Sequence, residues 1–435
     1  MDKAATGNIQ SGKDFKDVFV KRRKVLLSYV IVGTIFGIIA TLMGFIRLLM
    51  LSGYVPNYNI YFFEHPNLQI FGFLVLFVSG VASVLVPTFR GNTPITGNLD
   101  YIFLGILIAF QLLISLSNLP TSFSFEFTLS AFVLLLLYSI RYLYLVWEGI
   151  SKGSRKIDDG DSYMVLSALS LLLTTFLLII DEITGLQEFT YPLLYLVLLG
   201  FVGSVIMGVM IKTSPSSPSV GRKKLLDISV AISFVAVIVD FILPVFSITV
   251  YEFLAPWIFL IGAFPFALAQ LILFIKTEKS GRSVTIISIF RKSTVNFTRF
   301  AAFLSYLWLI TGLILGVLYS SDGLLYGIKI AFIHAISIGF IGSTIMGYAP
   351  LLLPGIISAR SPRTEVFSLS LYLLNIGALL MVIAFIVYAY GISIGVLFTL
   401  GGIFIITGII WYIADIHIYI FSKKKSEAVV FSDDW

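Results

Sequence analysis

LYGIKIAFIHAISIGFIGSTIMGYAPLLL, residues 325–353, carries one charged side chain, Lys329, in a run long enough to cross a bilayer. At that depth the backbone has no water to bond, so the run must be a helix. Its centre, GFIGSTIMG (339–347), has a near copy, GFVGSVIMG, at 200–208. A sparser third copy keeps Gly72-Phe73, Gly80 and Pro87. In each copy the second glycine follows eight residues after the first, and a proline seven residues after that (Pro87, Pro215 and Pro354). Working outward, twelve apolar runs fall at about 25–50, 67–89, 100–117, 124–147, 162–181, 190–211, 226–249, 253–275, 299–320, 325–353, 366–389 and 392–420. The marked runs are the second, sixth and tenth, four apart and running in the same direction. The expected fold is therefore all-α, a twelve-helix transmembrane bundle built as three pseudo-repeats of four helices.

Composition agrees. The chain is 58% hydrophobic and 12% charged, against about 25% charged residues in a soluble domain. Lipid-facing helices explain the excess of apolar residues, and membrane lipid is the first partner. Residues 1–24 read as a basic cytoplasmic N-terminus, 25–420 as the membrane domain and 421–435 as a cytoplasmic tail. The run at 25–50 is too long for the core of a signal peptide and is expected to be retained. Lys21-Arg22-Arg23-Lys24 precede the first run, and Lys423-Lys424-Lys425 follow the last. The even connections hold the remaining loop cations, including Arg90, Arg155, Arg222, Lys279 and Arg360, while the odd connections hold Glu64, Asp181, Glu188 and Asp322. The positive-inside rule then puts both termini in the cytoplasm. Basic loops beside anionic lipid account for the net charge of +6, and no nucleic-acid surface is expected. No connection is long enough for a soluble catalytic domain, so function is expected inside the bundle or on a partner.

The chain has no cysteine, which excludes disulfides, Fe–S clusters, thiolate copper and covalently attached c-type haem. The glycines read as packing ridges: Gly200, Ser204 and Gly208, and again Gly339, Ser343 and Gly347, let helices approach closely. Asp240, with Pro244 in the seventh run, is an ionisable group at depth and so a proton or ion candidate, or else a neutral acid bonded to a neighbour. Gln69, Gln111 and Gln270 read as glue between helices, and Asn375 is a further polar group at depth.

The histidine-led segment Glu64-His65-Pro66-Asn67-Leu68-Gln69-Ile70-Phe71-Gly72-Phe73 and the segment His334-Ala335-Ile336-Ser337-Ile338-Gly339 resemble the second and tenth helices of haem–copper oxidase subunit I. The likeness extends to divergent NnrS-type membrane proteins. It covers the chain as topology and about sixty residues as sequence. The departures are chemical. The sixth and seventh runs lack the histidines that hold copper in the oxidases, and Phe332 and Ile336 flank a single histidine in the tenth. Copper of that type needs about three imidazoles, so reduction of oxygen or nitric oxide at a binuclear centre is not expected. What the resemblance leaves is one haem b with His65 and His334 as axial ligands. Arg47 and Lys329 read as cations away from the basic loops, suited to haem propionates or to Glu64 and Asp322. Structural readings stay open. His65 before Pro66 suits a helix cap, His334 suits a hydrogen bond across helices, Lys329 can snorkel, and His417 beside Asp415 suits the interface. The chain also resembles the hydrophobic B subunit of the archaeal cytochrome b558/566. Together these imply a membrane subunit of a respiratory electron-transfer system that binds haem b or anchors a surface-exposed cytochrome or another respiratory subunit. The alternatives are an NnrS-like accessory protein of nitrogen-oxide metabolism and a secondary transporter coupled through Asp240.

Overall fold

The computed structural model describes residues 12–56, 64–92, 98–118, 122–185, 194–213, 220–246, 251–279, 294–322, 326–357 and 364–421. Among them every regular element is a helix, and twelve helices are long and apolar enough to cross a membrane. They are α1 (Gly12–Leu51), α2 (64–89), α3 (Asn98–Ser117), α4 (Ser124–Ser151), α5 (Asp159–Thr184), α6 (Leu196–Thr213), α7 (Val220–Val245), α8 (Tyr251–Lys279), α9 (Thr294–Asp322), α10 (326–357), α11 (Thr364–Ala389) and α12 (Gly395–Phe421). Each expected run contains one of these helices. The first differs most from expectation: helix continues back through Lys24 to Gly12, so α1 is about 60 Å long at 1.5 Å per residue and projects past the apolar layer at its basic end. Pro87 and Pro354 lie inside the final turn of their helices rather than beyond it, and Pro215 lies outside the described residues.

Exposed apolar side chains recur at helical spacing around the perimeter. On α1 they are Ile31, Ile35, Ile39, Leu42 and Ile46. Water would not tolerate such continuous stripes on every outer helix, whereas hydrocarbon does. The helices marked by the repeated glycines behave differently. Among the described residues α2 and α6 contribute no exposed large hydrophobic side chain, and α10 contributes Tyr326 alone. The most apolar window of α6 is 83% buried against 33% for α3, α7 and α12. α2, α6 and α10 form the interior, with α6 packed on both of the others.

These interior helices share a local departure from α geometry. Leu68–Val75, Leu196–Gly203 and Ala335–Gly342 are π-helical. Each segment starts four residues before the first repeated glycine and ends three after it. A wider turn is uncommon over this length, and here it occurs in the same register on all three helices.

Both repeated glycines of each interior helix face the helix that precedes it in the chain. A Cβ at Gly72 or Gly80 would meet Phe36 or Tyr29 of α1 at 3.0 and 2.4 Å. At Gly200 and Gly208 it would meet Ser170 and the Gly160 carbonyl of α5, at 2.7 and 2.9 Å. At Gly339 and Gly347 it would meet Trp308 and Ala301 of α9, at 2.4 and 2.2 Å. The reading of these glycines as packing ridges is therefore correct. Around the interior, α3 packs on α4, α7 on α8 and α11 on α12, and the ring closes through α4–α5, α8–α9 and α12–α1.

Gly347→Ala pushes a methyl group into Ala301 and should cost about 1–3 kcal/mol, read as a lower midpoint of thermal unfolding in detergent. Gly105→Ala, where a Cβ meets nothing within 4 Å, should leave the midpoint unchanged or raise it.

Candidate functional site

Five helices, α2, α1, α12, α11 and α10, follow one another around the third of the bundle that holds both sequence-predicted histidines. At its acidic end α1 is tied to α12: Ser52 Oγ donates to the Gly395 carbonyl (2.9 Å), and Thr399 Oγ1 donates to Ser52 Oγ (3.1 Å). His65 opens α2 and leans on α1. Its Nδ1–H donates to the Ala40 carbonyl at 2.7 Å, and a carbonyl can only accept, so the neutral ring has its lone pair on Nε2. Gly44 makes this seat possible, because a Cβ there would lie 2.6 Å from His65 Cε1. His334 repeats the arrangement within one helix. Its Nδ1–H donates to the Ile330 carbonyl at 2.8 Å, while its ring stacks on Phe385 of α11 with centroids 5.2 Å apart and planes 27° apart. Phe385 packs in turn on Phe398 of α12.

Both histidines therefore keep Nε2 for another bond. They lie close enough to act on each other electrostatically. His65 is three residues ahead of the π segment of α2 and His334 one ahead of that of α10, a height difference of about 3 Å. Both are closely surrounded by protein yet keep accessible surface.

The two predicted cations divide. Arg47 lies three residues after Gly44 and so on the side of α1 that meets His65. Lys329 is five residues before His334, which turns it roughly 140° around α10 from the histidine. Neither cation is free of interactions. The side chains of Glu64, Asp322 and His417 lie outside the described residues. Arg141, ten residues short of the end of α4, pairs with Asp100 of the first turn of α3 at 3.5 Å. Asp240 is fully buried, and neither carboxylate oxygen has a hydrogen-bond partner. The glutamines do not all serve as glue, since both amide atoms of Gln111 and Oε1 of Gln69 are buried without partners. Asn375 is the real polar node: its Oδ1 accepts from Trp308 Nε1 (2.7 Å) and Ser343 Oγ (3.1 Å), joining α9, α10 and α11.

One cluster was not legible in the sequence. At the basic end Asp161 pairs with Lys212 of α6 at 2.8 Å and with Arg90, just after α2, at 3.5 Å; Asp158 pairs with the same lysine at 2.8 Å. Asp158 and Asp161 also close a capping box that starts α5. The acidic pair before an apolar run signals the cap, but nothing in the chain signals the two cations, which arrive from other helices. Among the described residues no three metal-ligating side chains converge.

Twelve apolar helices around a glycine-packed interior define a multi-pass membrane protein. A family model described as a domain of unknown function (DUF8744) matches residues 232–418. The match covers less than half of the chain, from inside α7 to near the end of α12, and takes in Asp240 and His334 but not His65. No curated protein matches the chain.

Asp161→Asn removes a buried charge that serves two cations, and should cost about 3–5 kcal/mol, read as a lower unfolding midpoint. Lys152→Ala, which removes the exposed partner of the buried Glu148 carboxylate, should lower the midpoint less.

Proposed function

We propose that this protein is the membrane subunit of a respiratory electron-transfer system and holds one haem b between His65 and His334. One observation carries the reading: two imidazoles from different helices, at nearly the same depth, each fixed through Nδ1 and each keeping Nε2 for another bond. A bond from Nδ1–H to a carbonyl orients a ligating histidine and raises the basicity of its other nitrogen. Two such nitrogens could hold one haem iron and fall short of the imidazoles that copper requires. Gly44 lets His65 reach its seat, and Phe385 fixes the plane of His334. Arg47 is placed to meet an acidic edge such as a propionate. When bound, haem would supply one-electron transfer. The histidines lie toward the acidic end, so a partner, a surface-exposed cytochrome or another respiratory subunit, would exchange electrons there. The basic end is read as cytoplasmic, with both termini on that side.

The test is a reduced-minus-oxidised spectrum with a pyridine haemochrome assay on protein expressed with haem in supply. Wild type should show a b-type signal, and His65→Ala and His334→Ala should each abolish it. Gly44→Val, which displaces the His65 ring without removing it, should lower haem occupancy. A folded wild type without the signal overturns the reading.

Orientation is tested separately. The chain has no cysteine, so Ser154→Cys at the basic end and Tyr390→Cys at the acidic end, both exposed positions, give single labelling sites. An impermeant thiol reagent added to intact cells should label the second and spare the first. The reverse pattern would invert the topology.

A further inference from the structure

One corner of the acidic end is apolar where water should meet it. The turn 390–394 joins α11 to α12, and the Tyr390 and Ile392 amides both donate to the Val387 carbonyl, at 3.1 and 3.3 Å. Gly391 turns the chain with a φ of +79°. Such an irregular turn lies outside the hydrocarbon, because backbone groups that no helix satisfies need water. Its side chains are nonetheless apolar: Tyr390 is 68% exposed and Ile392 58%, and Ile394 is exposed beside them. Val396, at the start of α12, adds to the patch. So does Tyr54, just after α1. The two helix ends touch: a Cβ at Gly395 would lie 3.0 Å from the Ser52 carbonyl oxygen, and the Ser52 and Thr399 hydroxyls bind the ends together. Contiguous apolar side chains facing water mark a contact surface.

The corner belongs to the histidine arc. His334 stacks on Phe385, Phe385 packs edge-on against Phe398 (4.9 Å), and Phe398 packs against the exposed Tyr388 (6.1 Å) next to the turn. Ser52 follows Gly44, the seat of His65, by eight residues, so the corner stands about 12 Å above that ring.

Charge decides what fits. The connections at this end contain no lysine or arginine, and the turn itself is uncharged. The helix ends that they join carry Glu64, Glu126, Asp181, Glu182, Glu252 and Asp322. Arg47 and Lys329, within α1 and α10, are the cations nearest this end. An apolar patch on a face with excess carboxylates is complementary to an apolar patch ringed by lysines.

We propose that Tyr54, Tyr388, Tyr390, Ile392, Ile394 and Val396 form the docking surface for a water-soluble redox protein whose contact face is apolar and ringed by lysines. Burial of the tyrosines and isoleucines holds the partner, while the carboxylates steer its approach. That the partner carries electrons rests on the haem reading above; the place and chemistry of docking rest on the surface itself.

Biolayer interferometry on the full-length protein in nanodiscs of zwitterionic phosphatidylcholine tests this, with a basic monohaem c-type cytochrome as the probe. Wild type should bind at low ionic strength and weaken by about tenfold or more at physiological salt. Ile392→Lys combined with Ile394→Lys should weaken the low-salt binding by about tenfold or more, through like charge and lost apolar contact. Ile157→Lys, at an exposed position of the basic end, should leave it unchanged. Thermal midpoints establish that each variant is folded. Three results overturn the proposal: no binding by wild type, equal binding by the double variant, or self-association of wild type that the double variant abolishes, which would assign the surface to a second copy. Binding is read without the protein's own haem. A colourless protein that still binds at this corner sinks the haem reading alone, whereas a haem-bearing protein that binds equally as the double variant sinks the docking surface alone.

Discussion

The bundle depends on backbone contact at the repeated glycines of α2, α6 and α10. In lipid, helices gain little by hiding apolar surface from one another, and association rests on close packing and hydrogen bonds. A methyl group at Gly80, Gly339 or Gly347 would stand at or below 2.4 Å from a neighbouring atom, so each interior helix can seat itself only where the side chain is a hydrogen atom. Once α2, α6 and α10 are drawn inward, each against the helix before it, the other helices have only the outside left to cover. Their exposed stripes of isoleucine and leucine then become lipid contacts.

Polar groups follow the same logic. Without solvent, a hydroxyl or amide must find its partner inside the protein, and the ones that do tie helices distant in sequence. Asn375 gathers α9, α10 and α11, and Ser52 with Thr399 closes α1 on α12. Asp161 collects two cations from α2 and α6 at the basic end. Others stay unsatisfied within the bundle, among them both amide atoms of Gln111 and both carboxylate oxygens of Asp240.

The two histidines and Asp240 lie in different parts of the bundle: His65 and His334 where α1, α2, α10, α11 and α12 follow one another, and Asp240 on α7. The π segments lie between these regions on the interior helices. By placing the same wide turn at the same register, they shift the face that each helix presents below the turn from the face above it.

Much of the architecture was legible in the chain. Twelve apolar runs gave the helix count because length and hydropathy alone decide what spans a membrane. The spacing of Gly72 and Gly80, Gly200 and Gly208, and Gly339 and Gly347 marked the interior helices. His65, His334 and Asp240 were visible as rare polar residues at depth. What the chain could not show is anything set by contact between distant helices. The π segments have no sequence pattern of their own, and the extension of α1 through a polar stretch follows from helix propagation rather than hydropathy. That Arg47 falls on the histidine side while Lys329 turns away depends on helix rotation, and rotation is set by the partners. The tautomers of His65 and His334 depend on which carbonyls lie opposite them, and the isolation of Asp240 depends on what α5, α6 and α8 fail to bring. Hydropathy and small-residue spacing are local properties and can be read along one strand of text, whereas hydrogen-bond satisfaction belongs to pairs, and only the tertiary structure decides the pairs.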